Sequence, residues 1–437
     1  MLPSSLRPLA SRNFSLVWSS ALVSNVGTWV ETVALGTLVT TTTHSALWTA
    51  LVMAAGFLPM GAFAPLGGVL ADRFDRRRFL IFMTCVETFW AAALAVVVGV
   101  HWDPEWLLVL LSFLGGASGA LGFPAYQAML PDLVEHEDLI AAVSLSTAQW
   151  NMGRVLGPAV AGLILVAWSP AAAFGINAVS FFATIIALSF VRVPLRPRLE
   201  GTMKVLTRLK EGAREAWAEP GCRSAILLIS IVALIGSPFI GLVAAMAIEG
   251  LHSKVGGPAV LTTAQGIGAV LGALAIAPVA KRRGQHTVVI GALIAFCASL
   301  VLYGAAPVLW VAAGAIVLVG GAYVGVLSGL NSMVQLRAPE ASRARILSIF
   351  MMGLGVIYPI GLIIEGAIGQ AIGVRCMTLI SGLLLGGVLL AIALLHPRVF
   401  SDLSAPAGSV VLDAATPEVG EVDLARSLRE DGPLTEG

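Results

Sequence analysis

The sequence predicts an all-α membrane protein of twelve transmembrane helices in two pseudo-symmetric six-helix bundles. Three observations carry that expectation. Of 437 residues, 57% are hydrophobic and 12% charged, whereas a soluble globular domain is about 25% charged. So little charge, with a mean hydropathy of +0.91, excludes an ordinary water-soluble enzyme, a disordered chain and a nucleic-acid binder. Second, a bilayer span needs ~20 apolar residues. Such runs follow one another at 14–42, 46–71, 79–100, 105–130, 139–167, 171–191, 224–249, 257–280, 287–303, 308–336, 346–370 and 377–395. Third, the bases fall in alternate loops. Of 26 Lys and Arg, all but Lys254, Arg375 and the intramembrane Arg154 lie in segments that share a side with the N-terminus. The positive-inside rule then puts both termini in the cytoplasm, and the alternation independently requires an even number of spans.

Each segment has its own reason. The opening stretch is short and mildly basic, and the apolar run after it is too long for a cleavable leader. The 47 glycines and 22 prolines suit membrane helices, where Gly lets backbones approach. A charged stretch, 192–223, separates six spans from six and carries an amphipathic pattern, Leu206, Leu209 and Ala213 against Lys204, Arg208, Lys210 and Glu211. Residues 398–437 are rich in Ser, Pro and acids and predict a disordered tail. The expected organisation is a first bundle over 1–191, a linker over 192–223, a second bundle over 224–397 and the tail. Cys85, Cys222, Cys297 and Cys376 are scattered without metal spacing, and no cofactor or metal is expected.

The halves echo each other weakly. Gln127-Ala-Met-Leu-Pro131 closes span four and Gln335-Leu-Arg-Ala-Pro339 closes span ten; basic loops follow spans two and eight. Two parallel repeats about an axis along the membrane normal are a recurrent transporter plan. After span two comes Gly67-Gly68-Val-Leu-Ala-Asp72-Arg73-Phe-Asp75-Arg76-Arg77-Arg78. Here Gly68 would permit close helix approach, and Asp72 sits at a helix end among arginines that can pair with it or with lipid phosphate. Read plainly, such a loop is a positive-inside anchor. In span five, Gly153, Gly157 and Ala161 form a small-residue stripe, which serves ordinary packing equally well, and Pro158 removes a backbone donor.

The first of these segments resembles motif A of the major facilitator superfamily, position by position at Asp72, Arg73, Arg76 and Arg77. That resemblance implies a cytoplasmic gate whose Asp bonds across to the other half when the protein faces outward. The copy after span eight is degenerate, with Lys281 where an acid is expected. Gly153-Arg154-Val-Leu-Gly157-Pro158-Ala-Val-Ala-Gly162 resembles the superfamily's antiporter motif, which implies export; the match is partial, with Ala161 in place of the first Gly of a pair. Arg12-Asn13-Phe14, Ser24-Asn25-Val-Gly27-Thr28-Trp29, Phe123-Pro124-Ala125 and Asn177-Ala-Val-Ser180-Phe181-Phe182 are similar to the enterobactin-exporter and macrolide-efflux branch. Glu31 stands where that branch often carries Gln, Tyr126 where it often carries Arg, and span four lacks the Arg typical of proton-coupled drug antiporters.

Charge inside the membrane costs at least ~2.5–3.5 kcal/mol, so each such group should face protein or a wet cavity. Glu31, Glu87, Arg154 and Glu365 are the ionisable residues well inside the spans, with Glu249 at an edge. Glu31 and Arg154 lie at similar heights, ~26 and ~23 Å along their helices, which predicts a direct or water-bridged pair serving substrate or proton handling, or else a structural ion pair. Glu365 is expected either at the central cavity or against a neighbouring polar group. Glu87 is expected in a structural or interfacial role. Ser144, Thr147, Asn151, Arg154 and Pro158 share one face of span five. Asn25, Gln149, Asn151, Asn331 and Gln335 are candidate cavity polars, and Trp29, Trp150, Tyr323 and Tyr358 candidate cavity aromatics.

The expected function is secondary transport by a monomer with a midplane cavity: proton-coupled export of an amphipathic drug or siderophore, with membrane lipid as surroundings and no nucleic-acid partner. Lipid or lysolipid translocation and uncoupled diffusion are the alternatives. No nucleotide loop, metal cluster or nucleophile with a base supports a membrane enzyme. A fluorescent-protein fusion at the C-terminus should glow and an alkaline phosphatase fusion there should stay inactive; the opposite pattern would reverse the topology.

Overall fold

The computed structural model describes residues 4–191, 205–339 and 342–403. The expected tail beyond residue 403 and the first part of the linker lie outside the described residues. Among the described residues, twelve helical segments are long and apolar enough to cross a membrane. The first six are α1 (Arg12–Thr43), α2 (Ala46–Arg73), α3 (Arg76–Gly99), α4 (Glu105–Met129), α5 (Leu139–Ala167) and α6 (Pro170–Phe190). The starts of α1, α2 and α3 carry side-chain caps. Ser11 accepts from Phe14 N–H, Ser45 from Trp48 N–H, and Asp75 from Arg78 N–H at 2.7 Å. Each satisfies a donor that the first helical turn leaves unpaired. The amphipathic linker forms α7 (Val205–Ala218).

The seventh span departs from the expected continuous helix over 224–249. Helix α8 (Pro220–Ile231) passes into a π turn at Val232–Gly236 and a 3-10 turn at Ser237–Ile240. A short α9 (Val243–Ala245) and a second π turn at Met246–Gly250 follow. Pro238 has no N–H to give, and Gly236 and Gly241 flank it. The Ser237 hydroxyl donates to Val232 O at 3.0 Å, which re-satisfies part of the broken ladder, as a helix buried among other helices requires. The remaining helices are α10 (Gly257–Arg283), α11 (Gln285–Ala305), α12 (Leu309–Arg337), α13 (Arg343–Ile372), α14 (Val374–Leu395) and the short α15 (Arg398–Ser401). Gly284 (φ 81°) and Gly373 (φ 90°) make the tight connections after α10 and α13, a conformation that side chains disfavour.

The two bundles repeat one packing plan: α2 on α4, α3 on α6 and α1 on α5 in the first, α10 on α12, α11 on α14 and α8 on α13 in the second. Their outer faces expose Leu163, Val166, Leu274 and Leu394, as a lipid-facing surface demands. The bundles meet along α2–α13 and α5–α10. Gly61 abuts the Gly355 backbone, Gly366 abuts Ala50, and Gly162 abuts Ala259. These contacts lie at mid-height and toward the end opposite the basic loops, here termed the far end. There His44 Nδ1 and Glu249 Oε1 are 2.9 Å apart, and Ala46 N–H donates to Gln370 Oε1 at 2.7 Å. At the basic end, Arg345 of α13 holds α7 through Glu215 at 2.7 Å and Glu211 at 3.4 Å.

The stripe in span five is a packing surface. A side chain at Gly153 would strike Asn25, and one at Gly157 would strike Val26 and Trp29, so α5 lies directly on α1. Pro158 is accommodated without ending α5. Gly68 differs from expectation: a Cβ there would meet nothing within 4 Å, whereas one at Gly67 would stand 2.7 Å from Leu121 O. The close approach of α2 to α4 therefore depends on Gly67. Gly157→Val should destabilise the purified protein by about 1–3 kcal/mol through overpacking, while Gly68→Ala should stay within about 0.5 kcal/mol of wild type; thermal unfolding in detergent measures both.

Candidate functional site

A cavity of about 510 Å³ lies inside the first bundle. All of its walls come from α1–α6, so it sits within one half. It runs from Gln127, Val143 and Leu188 near the basic end to Leu94 and Leu111 beyond mid-height. Phe57, Trp90, Phe123, Tyr126, Trp150 and Phe181 supply aromatic walls.

Two carboxylates reach this space. Glu31 accepts a hydrogen bond from Asn177 Nδ2 at 2.7 Å. Asn177 is 1% exposed, and its own carbonyl oxygens accept from the Ser180 hydroxyl at 2.7 and 3.2 Å. One turn before Glu31, Gly27 makes room for this pair: a Cβ there would fall 2.6 Å from Asn177 Oδ1. Glu87 enters from α3 and lines the same cavity. Its Oε1 lies over α4 at Gly119, where a Cβ would stand 2.8 Å away. Glu87, for which a structural or interfacial role was expected, thus lies in the cavity wall. No Lys, Arg or His is among the lining residues.

The expected direct pair between Glu31 and Arg154 does not form. Glu31 turns toward α6, whereas Arg154 lies across the α1–α5 contact with its guanidinium 5.7 Å from the centre of the Trp29 ring. Tyr323 and Tyr358 of the second half are its electrostatic neighbours, and its Nε is buried without a hydrogen-bond partner. Equal height did not bring the two charges together because they point in different directions around their helices.

The other candidates divide. Asn25 and Gln149 line the cavity. Gln149 is 2% exposed, and its Nε2 has no partner. Asn151 instead donates to Thr147 O on its own helix at 2.9 Å. Asn331 and Gln335 bond one another at 3.4 Å along α12 and take no part in this cavity. Glu365 is 5% exposed beside Ser381 of α14, with Oε1 unpartnered, again away from this cavity. Among the candidate aromatics, Trp150 lines it, and Tyr358 makes an edge contact with Phe57 across the halves, centroids 5.5 Å apart.

The basic loop after α2 closes on its own half. Arg76 lies 3.9 Å from Asp72 and 3.6 Å from Asp132 and donates to Ala128 O at 3.0 Å. Arg77 donates to Leu188 O and Ser189 O, each at 2.6 Å. Arg73 is exposed. The loop thereby ties the α2–α3 turn to the ends of α4 and α6, and the ion pairs of Asp72 and Arg76 stay within the first half.

Sequence reasoning missed the partnership of Glu31 with Asn177 and the cavity position of Glu87. A signal for the latter was present: Thr84, Glu87 and Ala91 follow at spacings of three and four on α3, one helical face, and all three line the cavity. Removing the Asn177 donor should cost about 1–3 kcal/mol, because a hydrogen bond to a charged group is lost. A double-mutant cycle of Asn177→Ala with Glu31→Gln should show a coupling of about 0.5–3 kcal/mol in thermal or denaturant unfolding; strict additivity would mean that the contact carries no energy.

The profile of the transmembrane secretion effector family matches residues 3–413. Macrolide efflux protein A of Streptococcus pyogenes is 23% identical over 393 residues, 88% of this chain and 95% of that protein. The enterobactin exporter EntS of Escherichia coli O81 (strain ED1a) is 26% identical over 404 residues, 89% and 93% of the two chains. Among solved structures, a bacterial homolog of the human lysosomal transporter Spinster, inward-facing and occupied, superposes with a TM-score of 0.71 at 15% identity. It covers 92% of this chain and 99% of that one.

Proposed function

Because the chain belongs to the transmembrane secretion effector family of the major facilitator superfamily, we propose that it exports an amphipathic small molecule, drug-like or siderophore-like, in exchange for protons. The observation that carries this reading is the cavity of about 510 Å³ with aromatic walls and two carboxylates. Its volume is within the range of drug-sized sites, ≈ 300–1,000 Å³. The apolar walls take the body of the substrate, and Glu31 takes the proton. Efflux by the named relatives supports the direction of transport.

The gating follows from where the halves touch. Their contacts at Gly61–Gly355, Gly366–Ala50 and His44–Glu249 occupy mid-height and the far end. The basic end, which the distribution of Lys and Arg supports as cytoplasmic, is where Gln127, Val143 and Leu188 border the cavity. We read this as the state that loads from the cytoplasm. Rocking of one bundle against the other about the glycine contacts on α2–α13 and α5–α10 would carry the site to the far side, the alternating-access motion of such repeats. In that step the α2–α3 loop is freed to meet the second half. Asp72, Arg73, Arg76 and Arg77 are its gating residues, and Gly153, Gly157, Pro158 and Gly162 keep the α1–α5–α10 packing intact while it moves.

Proton coupling is tested by reconstitution. In proteoliposomes with an imposed pH gradient, wild-type protein should accumulate a lipophilic dye such as ethidium, and Glu31→Gln should abolish the gradient-driven part while leaving downhill flux. Unchanged gradient-driven accumulation in Glu31→Gln would remove Glu31 from the coupling step.

A further inference from the structure

We propose that the first-half cavity is a binding site for an organic cation, with Glu87 as its second anionic ligand beside Glu31. This narrows the export reading, on which it rests, to substrates bearing an amine or a quaternary centre. Three independent features of the cavity lead there.

The first is an imbalance of charge. Glu31 and Glu87 both line the space, and none of the lining residues is Lys, Arg or His. Arg154, at the same height, is turned away over Trp29. An ionised carboxylate within the membrane needs a partner, and this wall contains no cation to serve. The counter-charge must be brought from outside the chain, as protons or as a cationic ligand. One carboxylate would suffice for proton exchange alone; a second, delivered from a different helix into the same space, makes an anionic clamp.

The second feature is the unsatisfied amide of Gln149. It is 2% exposed, lines the cavity and has no partner for Nε2. A buried donor left unpaired costs about 1–3 kcal/mol, and turning the amide toward a ligand oxygen would recover it. The third is the aromatic wall. Trp90, on the helix that carries Glu87, and Trp150, one residue beyond Gln149, present indole rings to the same space. Such faces attract an alkylammonium or a delocalised cation and disfavour an anion. The favoured ligand is therefore a lipophilic cation with an acceptor oxygen set apart from its charge.

Glu87 also explains the glycines opposite it. Gly119 leaves the place that Glu87 Oε1 occupies, and Gly115 and Gly122 extend the same small face along the cavity. A larger residue at 119 would push the carboxylate aside without altering its charge.

The test separates charge from size and shape. Tetraphenylphosphonium and tetraphenylborate have nearly the same shape and opposite charge. With full-length protein in detergent and no gradient, equilibrium dialysis should find binding of the phosphonium and not of the borate. Glu87→Gln should weaken phosphonium binding about tenfold, the loss of one Coulombic attraction between a carboxylate and the cation. Glu87→Asp should retain part of it, and Glu365→Gln, outside the cavity, should match wild type. Gln149→Leu should leave the phosphonium unaffected, since it has no oxygen to accept, but weaken tetracaine, an amine with an ester carbonyl. Equal or tighter binding of the borate by wild-type protein would overturn the proposal, whatever the variants do. So would wild-type phosphonium affinity in a folded Glu87→Gln. Because no gradient is applied, failure here is distinct from failure of proton coupling: cation binding can survive a Glu31→Gln result that ends the coupling reading, and the reverse.

Discussion

A carboxylate inside a bilayer has to find a donor, a counter-charge or water, and the first bundle is organised around two that have no basic neighbour in their cavity. Asn177 supplies one donor to Glu31, and Ser180 in turn holds Asn177. Gly27 and Gly119 leave the room these groups need. The packing of α1 against α6 and of α3 against α4 is thus set partly by the space two carboxyl side chains require. Arg154 does not reach them: its guanidinium lies over Trp29 instead, and no basic residue lines the cavity.

Glycine contacts supply the complementary constraint. In lipid, helices gain little from burying apolar surface against one another and associate through close packing. Gly153 and Gly157 press α5 onto α1, while Gly61, Gly162 and Gly366 bring the two halves into contact across α2–α13 and α5–α10. These between-half contacts are made of small residues and backbone with few ion pairs, so they can part without stranding a charge. The His44–Glu249 contact at the far end is exposed to a greater degree, with side chains 72% and 31% accessible. By contrast, Arg76 and Arg77 are anchored inside the first half.

The interrupted seventh span has the same logic. Two π turns flank Ser237–Ile240, and π turns are among the features at which helices kink. Tyr323 packs on Phe239 within this break, with centroids 5.7 Å apart, and Gly241 lies against the Tyr358 hydroxyl. The break is thereby packed into the second bundle beside the face that Arg154 approaches. The two halves, alike in helix order, therefore differ at their centres: the first holds carboxylates around a cavity, and the second holds tyrosines around a broken helix.

Much of this was legible from composition and spacing alone. Low charge and twelve long apolar runs required a bundle of membrane helices, because each is a one-dimensional property that the bilayer reads along the chain. The small-residue face of α5 and the basic loop at Asp72–Arg78 were likewise visible, since helical periodicity and a helix end are local. What only the tertiary structure decided was direction around each helix and company across helices. Height along the chain made Glu31 and Arg154 look like partners, yet one faces α6 and the other the second half. Gly67 rather than Gly68 meets α4, because one residue is a turn of about 100° on a helix. Glu87 became a cavity residue only once α3 was packed against α4 and α6. Which charges share a space depends on the packing of helices far apart in sequence, and no pattern within a single span records it.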